Sequence, residues 1–431
     1  MNHIITRVIR TKLFTNTFIY GASGSFVALI PLFLLPFMAR ALTQDEYGLV
    51  LFFIAVVALL LPVVGFGSSN ALSVRYFQLE VRSFSSYLSS CLFVLFVSIV
   101  FLIVAITAFS PIISIFSSIP FIWAFVAVLT ASFWGVSNAC STLLIAKQSP
   151  YKYLFIKATI GLVTIIISLI LIGYFDLSWH GFALSLFGAH LIACLISLYI
   201  LSTESKFGEI KKESCIDSLK FGVPIMVHSI SITTISYFDR IVISNYLDLS
   251  ELAKYGVAFQ IGIILSFVAQ SFNKAFTPWL YSNLKKDTTN SKIKVVQGTY
   301  VVFIIIILTT FIYCIIIDFI IIKLAGEEYY GIENISKIIA IGGAFNAGYL
   351  MIIGYVFYAG KTMILGVTTV SVSCFFIILT YFMVPRFGIE GAAISFAVAN
   401  FLLFISVWIL ASTCFSMPWF SKEVFRLSEK L

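Results

Sequence analysis

Twelve hydrophobic stretches, each about long enough to cross a bilayer, fill almost the whole of this 431-residue chain. A spanning helix needs about 20 mostly apolar residues, and runs such as Phe18 to Arg40, Leu92 to Phe109, Ile160 to Tyr174 and Val301 to Ile322 approach or exceed that length. The segments between them are too short to fold as soluble domains. The spacing predicts spans at 18–40, 48–66, 88–109, 121–145, 154–174, 182–201, 221–245, 255–280, 296–322, 335–358, 362–384 and 389–413. Isolated polar groups inside such spans are tolerable because a helix satisfies its own backbone hydrogen bonds, which lipid cannot do. An alternating, barrel-type pattern is absent, so the expected class is an all-α polytopic membrane protein with 12 transmembrane helices.

Lys and Arg are retained on the cytoplasmic side of such proteins. With the N-terminus placed inside, most of the 27 Lys and Arg fall on that side. The outer side and outer helix ends keep Arg40, Arg240, Lys254, Lys323, Lys337 and Arg386, while Lys274 lies deep in a span. This asymmetry predicts an N-in, C-in topology. The net charge of +8 is then mostly a topology signal and does not point to nucleic acid. The segment Ile4 to Leu13, with Arg7, Arg10 and Lys12 among apolar residues, is expected to lie as an amphipathic helix on the anionic inner leaflet. It shows no signal-peptide cleavage pattern. The seven cysteines are scattered without a CxxC pair, as packing residues rather than a disulfide or metal framework.

The longest polar interruption, Ser202 to Lys220, falls just before the midpoint and separates six spans from six. The expected organisation is an N-terminal bundle at 1–201, a cytoplasmic linker at 202–220, a C-terminal bundle at 221–413 and a cytoplasmic tail at 414–431. Weak echoes connect the halves. Asp45-Glu46-Tyr47-Gly48 enters the second span and Glu251-Leu252-Ala253-Lys254-Tyr255-Gly256 the eighth; Trp179-His180-Gly181-Phe182-Ala183 is answered by Ile389-Glu390-Gly391-Ala392-Ala393. With six spans each, the halves share one membrane orientation and form parallel repeats about an axis along the membrane normal. Such an arrangement opens a V-shaped central cavity between two six-helix bundles.

A charge at the bilayer centre costs at least about 2.5 to 3.5 kcal/mol on insertion scales, so each embedded charge implies a cavity or a partner. Asp239 and Arg240 fall in the outer half of the seventh span. His228, Ser231, Ile235 and Asp239 share one helical face, whereas Arg240 projects about 100° from Asp239, so the two need not satisfy each other. Gln270, Asn273, Lys274 and Pro278 lie on one side of the eighth span; Lys274 either faces a cavity or snorkels to the headgroups. Ser68, Ser69, Asn70 and Ser73 lead to Arg75 in the second span, and Pro31 and Pro36 allow the first to bend before Arg40. Asn138, Thr142 and Asn346 are expected to bridge helices.

Arg40, Arg75, Arg240 and Lys274 are thus the candidates for an anionic headgroup, with interface anchoring the alternative for Arg40 and Arg75. Asp239, His190 and His228 are candidates for ion coupling; a structural partnership is the alternative for Asp239, and hydrogen-bonded packing for His190. Asn70, Asn138, Gln270 and Asn273 are candidate polar cavity residues.

The two six-span halves, Ala39-Arg40-Ala41-Leu42 followed by Glu46-Tyr47-Gly48, Asp239 late in the seventh span, Tyr255-Gly256 opening the eighth and Gly388-Ile389-Glu390-Gly391-Ala392-Ala393 together resemble bacterial polysaccharide flippases of the multidrug/oligosaccharidyl-lipid/polysaccharide exporter superfamily. The resemblance covers nearly the whole chain, through motifs that are each short. It implies a MATE-like fold in the bacterial cytoplasmic (inner) membrane. It further implies outward translocation of an undecaprenyl-diphosphate-linked oligosaccharide, such as an O-antigen repeat unit, by alternating access. A polysaccharide polymerase and a chain-length regulator would be its protein partners, and H+ or Na+ the coupling ion. Multidrug exporters of this fold typically use an acidic residue in an early span, and none is embedded in spans one to six here. Peptidoglycan-precursor flippases usually have additional spans and an Arg-Asp pair in the first helix, also absent.

The competing class is a polytopic polymerase, ligase or lipid-linked glycosyltransferase, which generally needs a substantial periplasmic loop. The outer loops here are short. Glu327, Glu328 and Glu333 could be read as an acid/base or metal cluster, but without a nearby His they read as a solvated turn. No P-loop, dinucleotide fingerprint, zinc motif or nucleophile elbow occurs, so no cofactor is expected.

Overall fold

The structure, a computed structural model, describes residues 19–110, 119–421 and 424. The expected amphipathic segment at Ile4 to Leu13 and the tail cations Lys422, Arg426 and Lys430 lie outside them. Packing divides the chain into two units, Met1–Gly256 and Val257–Leu431. The first contains α1 (Ile19–Ala41), α2 (Gln44–Gln78), α3 (Val81–Ala108), α4 (Phe121–Ala146), α5 (Pro150–Gly173), α6 (Ser178–Glu204), α7 (Lys212–Tyr246) and the start of α8 (Leu249–Gly262). The second contains the end of α8, then α9 (Ile264–Leu284), α10 (Thr289–Ala325), α11 (Glu333–Tyr358) and α12 (Thr362–Cys414). No strand occurs among the described residues.

Among those residues, ten helices are long and apolar enough to cross a membrane, or eleven if α8 and α9, bent by 40° at their junction, form one broken span. Two features account for the difference from twelve. The expected eighth span is interrupted after Gly262, and the expected eleventh and twelfth are joined in α12 across a non-helical Gly388 at φ 57°, ψ −144°. Three residues on, Gly391 packs against the Met383 carbonyl, so the chain turns sharply there. A membrane setting is written on α10, where Ile307, Phe311, Ile315 and Phe319, spaced one turn apart, are each at least 64% exposed. In water such a stripe would drive association.

Local chemistry sets the helix ends. Thr43 and Glu46 form a reciprocal cap at the start of α2, with Glu46 N–H donating to Thr43 Oγ1 at 3.3 Å and Thr43 N–H to Glu46 Oε2 at 2.9 Å. Within α2 the helix tightens to a 3₁₀ segment at Leu61–Gly67, and Val64, Gly65 and Phe66 leave helical geometry. The freed Gly65 N–H donates to Ser98 Oγ on α3 at 2.6 Å. This satisfies an amide that lipid could not.

In the first unit α6 packs between α4 and α5, and α7 runs along α2 and α3. Gly67 and Gly222 lie backbone against backbone where α7 crosses the 3₁₀ segment, leaving no room for a Cβ on either. The echoing segments also meet inside this unit: Gly48 packs on the Leu249 backbone, Gly256 on the Leu51 side chain, and Ser250 Oγ donates to Gln44 Oε1 at 2.7 Å.

In the second unit α11 packs against α9, α10 and α12. Tyr313 OH donates to the Ile261 carbonyl at 2.6 Å, covering an acceptor at the α8–α9 break. Asn346 Nδ2 donates to Asn400 Oδ1 at 3.1 Å, the interhelical bond expected of Asn346. Beyond α12 the chain folds back, with the Trp419 carbonyl accepting from Tyr300 OH at 2.6 Å.

Candidate functional site

Two ion pairs of the first unit lie along α7. Near its C-terminal end, Asp239 is fully buried and Arg240 is 4% exposed. Asp239 accepts from the Arg240 backbone N–H at 2.8 Å, from Arg240 Nη1 at 3.0 Å and from Tyr255 OH. Arg240 Nη1 also donates to the Ser236 carbonyl at 2.5 Å, and its guanidinium lies 4.8 Å from the centre of the Tyr237 ring. The expectation that these neighbours need not satisfy each other is therefore corrected. A 100° angular separation governs where the Cβ atoms point, but an Arg side chain is long enough to wrap back along the helix. Burial then enforces the pairing, because a lone charge in this interior is costly.

Near the N-terminal end of α7, Asp217 meets Arg75 of α2 in a two-pronged ion pair. Arg75 Nη2 donates to Asp217 Oδ1 at 2.8 Å and Nε to Oδ2 at 3.0 Å, while Tyr87 OH of α3 donates to Oδ2 at 2.8 Å. This pair is partly exposed, with 29% of the Arg75 and 41% of the Asp217 side chain accessible. A cavity of about 500 Å³ opens beside it, lined also by Gln78, Ser83, Lys211, Glu213 and Ser214. Asp217 and Asp239 are 22 positions apart on one helix, about 33 Å along its axis. That is close to the roughly 30 Å thickness of a hydrocarbon core.

The other expected residues are dispersed. Arg40 is exposed in the last turn of α1. Asn70 Nδ2 donates to the Gly67 carbonyl at 3.1 Å, bracing the 3₁₀ segment. Asn138 is exposed rather than packed on a neighbouring helix, and Thr142 bonds instead to its backbone carbonyl at 3.0 Å within α4. Gln270 is exposed on α9, and Asn273 Oδ1 accepts from Thr277 at 3.2 Å. The side chain of Lys274 lies outside the described ones. His228 is half-buried on α7. His190 is buried in α6, stacked on Trp134 with ring centres 4.7 Å apart, and its Nδ1 makes no hydrogen bond among the described residues. Lys157 is buried in α5 with its ammonium 5.4 Å from the Tyr153 ring centre.

Two participants escaped the sequence reading. Tyr255 was conspicuous only through its echo of Tyr47, and nothing local indicates that its hydroxyl reaches Asp239. Asp217 sits among the charges of the linker, where a carboxylate ordinarily reads as solvated; only tertiary folding brings it to Arg75.

The comparisons agree on fold and family. Residues 13–284 match the family described as "Polysaccharide biosynthesis protein". A Haemophilus influenzae protein of the Lsg locus is 24% identical over 351 residues, covering 79% of this chain and 83% of that one. A Shigella flexneri protein, named as a candidate O-antigen transporter, is 25% identical over 233 residues, covering 52% of this chain and 54% of its own. Among solved structures, an inward-facing multidrug resistance MATE family transporter of the MOP superfamily superposes with a TM-score of 0.68 at 14% identity, covering 92% of this chain and 94% of that one. A Vibrio cholerae MATE transporter does so at 0.63 and 12% identity, covering 98% and 99%. At such identities the likeness is one of fold. The chain is a multi-pass membrane protein that belongs to the polysaccharide biosynthesis protein family and has a MATE-like fold.

Proposed function

We propose that this protein carries an undecaprenyl-diphosphate-linked oligosaccharide, an O-antigen or related repeat unit, from the inner to the outer leaflet of the bacterial cytoplasmic membrane. The observation that carries this reading is the family match over residues 13–284 on a transporter fold. The substrate combines a lipid tail, a diphosphate and a bulky sugar, so its carrier must shelter the polar part while the tail stays in lipid. Alternating access meets that requirement without covalent chemistry.

The reading includes twelve crossings with both termini inside. A 53-residue helix would be about 80 Å long, far more than one crossing needs, and Gly388 divides it into two segments of spanning length. Counting α8 and α9 as one broken span then yields twelve. Arg40, Arg75, Arg240 and Lys274 remain the proposed headgroup contacts and Asp239, His190 and His228 the proposed ion-coupling residues, with H+ or Na+ as the ion. A polymerase and a chain-length regulator would act on the delivered unit.

The test is the leaflet distribution of lipid-linked oligosaccharide in cells depleted of the protein. Complete, unpolymerised units accumulating on the cytoplasmic face are the expected result. Normal outward delivery with failed polymerisation or ligation would move the assignment to an enzyme of the same process.

A further inference from the structure

We propose that Arg75, Asp217 and Tyr87 form a charge clasp holding the central linker against α2 and α3, and that a phosphate group entering the adjacent cavity opens it by taking Arg75 from Asp217. It rests on the flippase reading only for the origin of that phosphate.

The linker is laid along the start of α3 by a row of serines. Gly208 N–H donates to the Ser85 carbonyl at 3.3 Å and to Ser89 Oγ at 3.1 Å; Lys211 N–H donates to Ser90 Oγ at 3.0 Å. Cys215 Sγ reaches the Ser90 carbonyl at 3.8 Å. Gly208 approaches Ser86 so closely that a Cβ would stand 2.6 Å from its hydroxyl. These are neutral contacts; Lys147 Nζ donates to Ser205 Oγ at 3.0 Å at the linker's start, and the Arg75–Asp217 pair adds an ion pair near its end.

The geometry of that pair is what makes it exchangeable. Parallel donation from Nε and Nη2 to two oxygens is the arrangement in which a guanidinium also grips phosphate, so Asp217 occupies the place of an anion on Arg75. An ion pair this accessible is weakly held. The cavity beside it is large enough for a phosphate and presents Lys211 together with the hydroxyls of Ser83 and Ser214. Two cations, Arg75 and Lys211, face two carboxylates, Glu213 and Asp217, so withdrawing Asp217 leaves the cavity net positive. Tyr87 OH can then donate to the phosphate. Asp217 lies in the second turn of α7, so its release frees both the linker and the beginning of that helix.

Cys215 reports the state of the clasp. With Cys314, Cys374 and Cys414 replaced by Ala, the remaining thiols at Cys91, Cys140 and Cys194 are buried. The rate of maleimide labelling at Cys215 is then measured on the full-length protein in phosphatidylcholine nanodiscs. Asp217→Asn should label about fivefold faster, and the charge swap Arg75→Asp with Asp217→Arg should return the slow rate. Inorganic diphosphate should accelerate labelling of the protein that keeps Asp217 and leave the Asp217→Asn rate unchanged. Acceleration on moving to phosphatidylglycerol nanodiscs, without diphosphate, assigns the opening phosphate to a bilayer headgroup; acceleration by diphosphate alone assigns it to a diphosphate ligand. Equal labelling with and without Asp217 would sink the clasp. No response to either phosphate source would sink its opening by phosphate. Because labelling requires no transport, these outcomes are independent of whether the chain is a flippase.

Discussion

Removing both charges of the Asp239–Arg240 pair should cost clearly less than the sum of removing each alone. Asp239→Leu removes the carboxylate that faces the Arg240 guanidinium, which is 4% exposed and also donates to the Ser236 carbonyl. Breaking a buried pair costs about 3–5 kcal/mol, and inserting one lone charge into a bilayer about 2.5–3.5 kcal/mol, so about 3 kcal/mol is expected. Arg240→Met should cost somewhat less, because Asp239 keeps its backbone donor and Tyr255. The double variant removes both charges and with them the bond from the Tyr255 hydroxyl to Asp239, a loss of about 1 kcal/mol. Adding Tyr255→Phe should bring stability to within about 1 kcal/mol of the parent. The assay is equilibrium unfolding in mixed detergent followed by tryptophan fluorescence, paired with export of surface polysaccharide. A double variant as unstable as the sum of the singles would refute the reasoning, since the charges would then act independently. A stable triple variant that exports normally would remove both the coupling role proposed for Asp239 and the headgroup role proposed for Arg240.

Three further outcomes follow from the packing. Gly222→Ala places a Cβ against the Gly67 backbone, an overpacking of about 1–3 kcal/mol, and Gly67→Ala adds about 1 kcal/mol for a left-handed φ of 71°; thermal unfolding in detergent should rank Gly67→Ala as the worse. Gly388→Ala and Gly366→Ala should differ in sign, although a Cβ at either position meets nothing within 4 Å. The first is strained by about 1–3 kcal/mol at φ 57°, while the second, in ordinary helix, gains about 0.8–1 kcal/mol of propensity, and the same unfolding assay distinguishes them. Ser98→Ala orphans the Gly65 amide and should cost about 1–3 kcal/mol, with faster hydrogen exchange of that amide.

The membrane class and most span positions were legible because they depend on runs of side-chain type. A helix that must bury its own backbone bonds in lipid advertises itself through length and hydropathy alone. The cap at Thr43 and Glu46 is equally local. What hydropathy could not register is where a long apolar run breaks: the junction after Gly262 and the turn at Gly388 are changes of backbone direction that leave composition unchanged. The site divides along the same line. Asp239 and Arg240 stood out as charges inside a span, which insertion energetics makes conspicuous, yet their mutual bond and the approach of Tyr255 came from side-chain reach and burial. Arg75 was visible as a cation at a span end, but Asp217 was one acidic residue in a charged linker. Sequence by itself therefore determined that the chain lives in a membrane and which residues carry charge there. Tertiary structure alone decided which charges meet, because partners such as Arg75 and Asp217 lie on helices far apart in the chain and no periodicity or local rule encodes their contact.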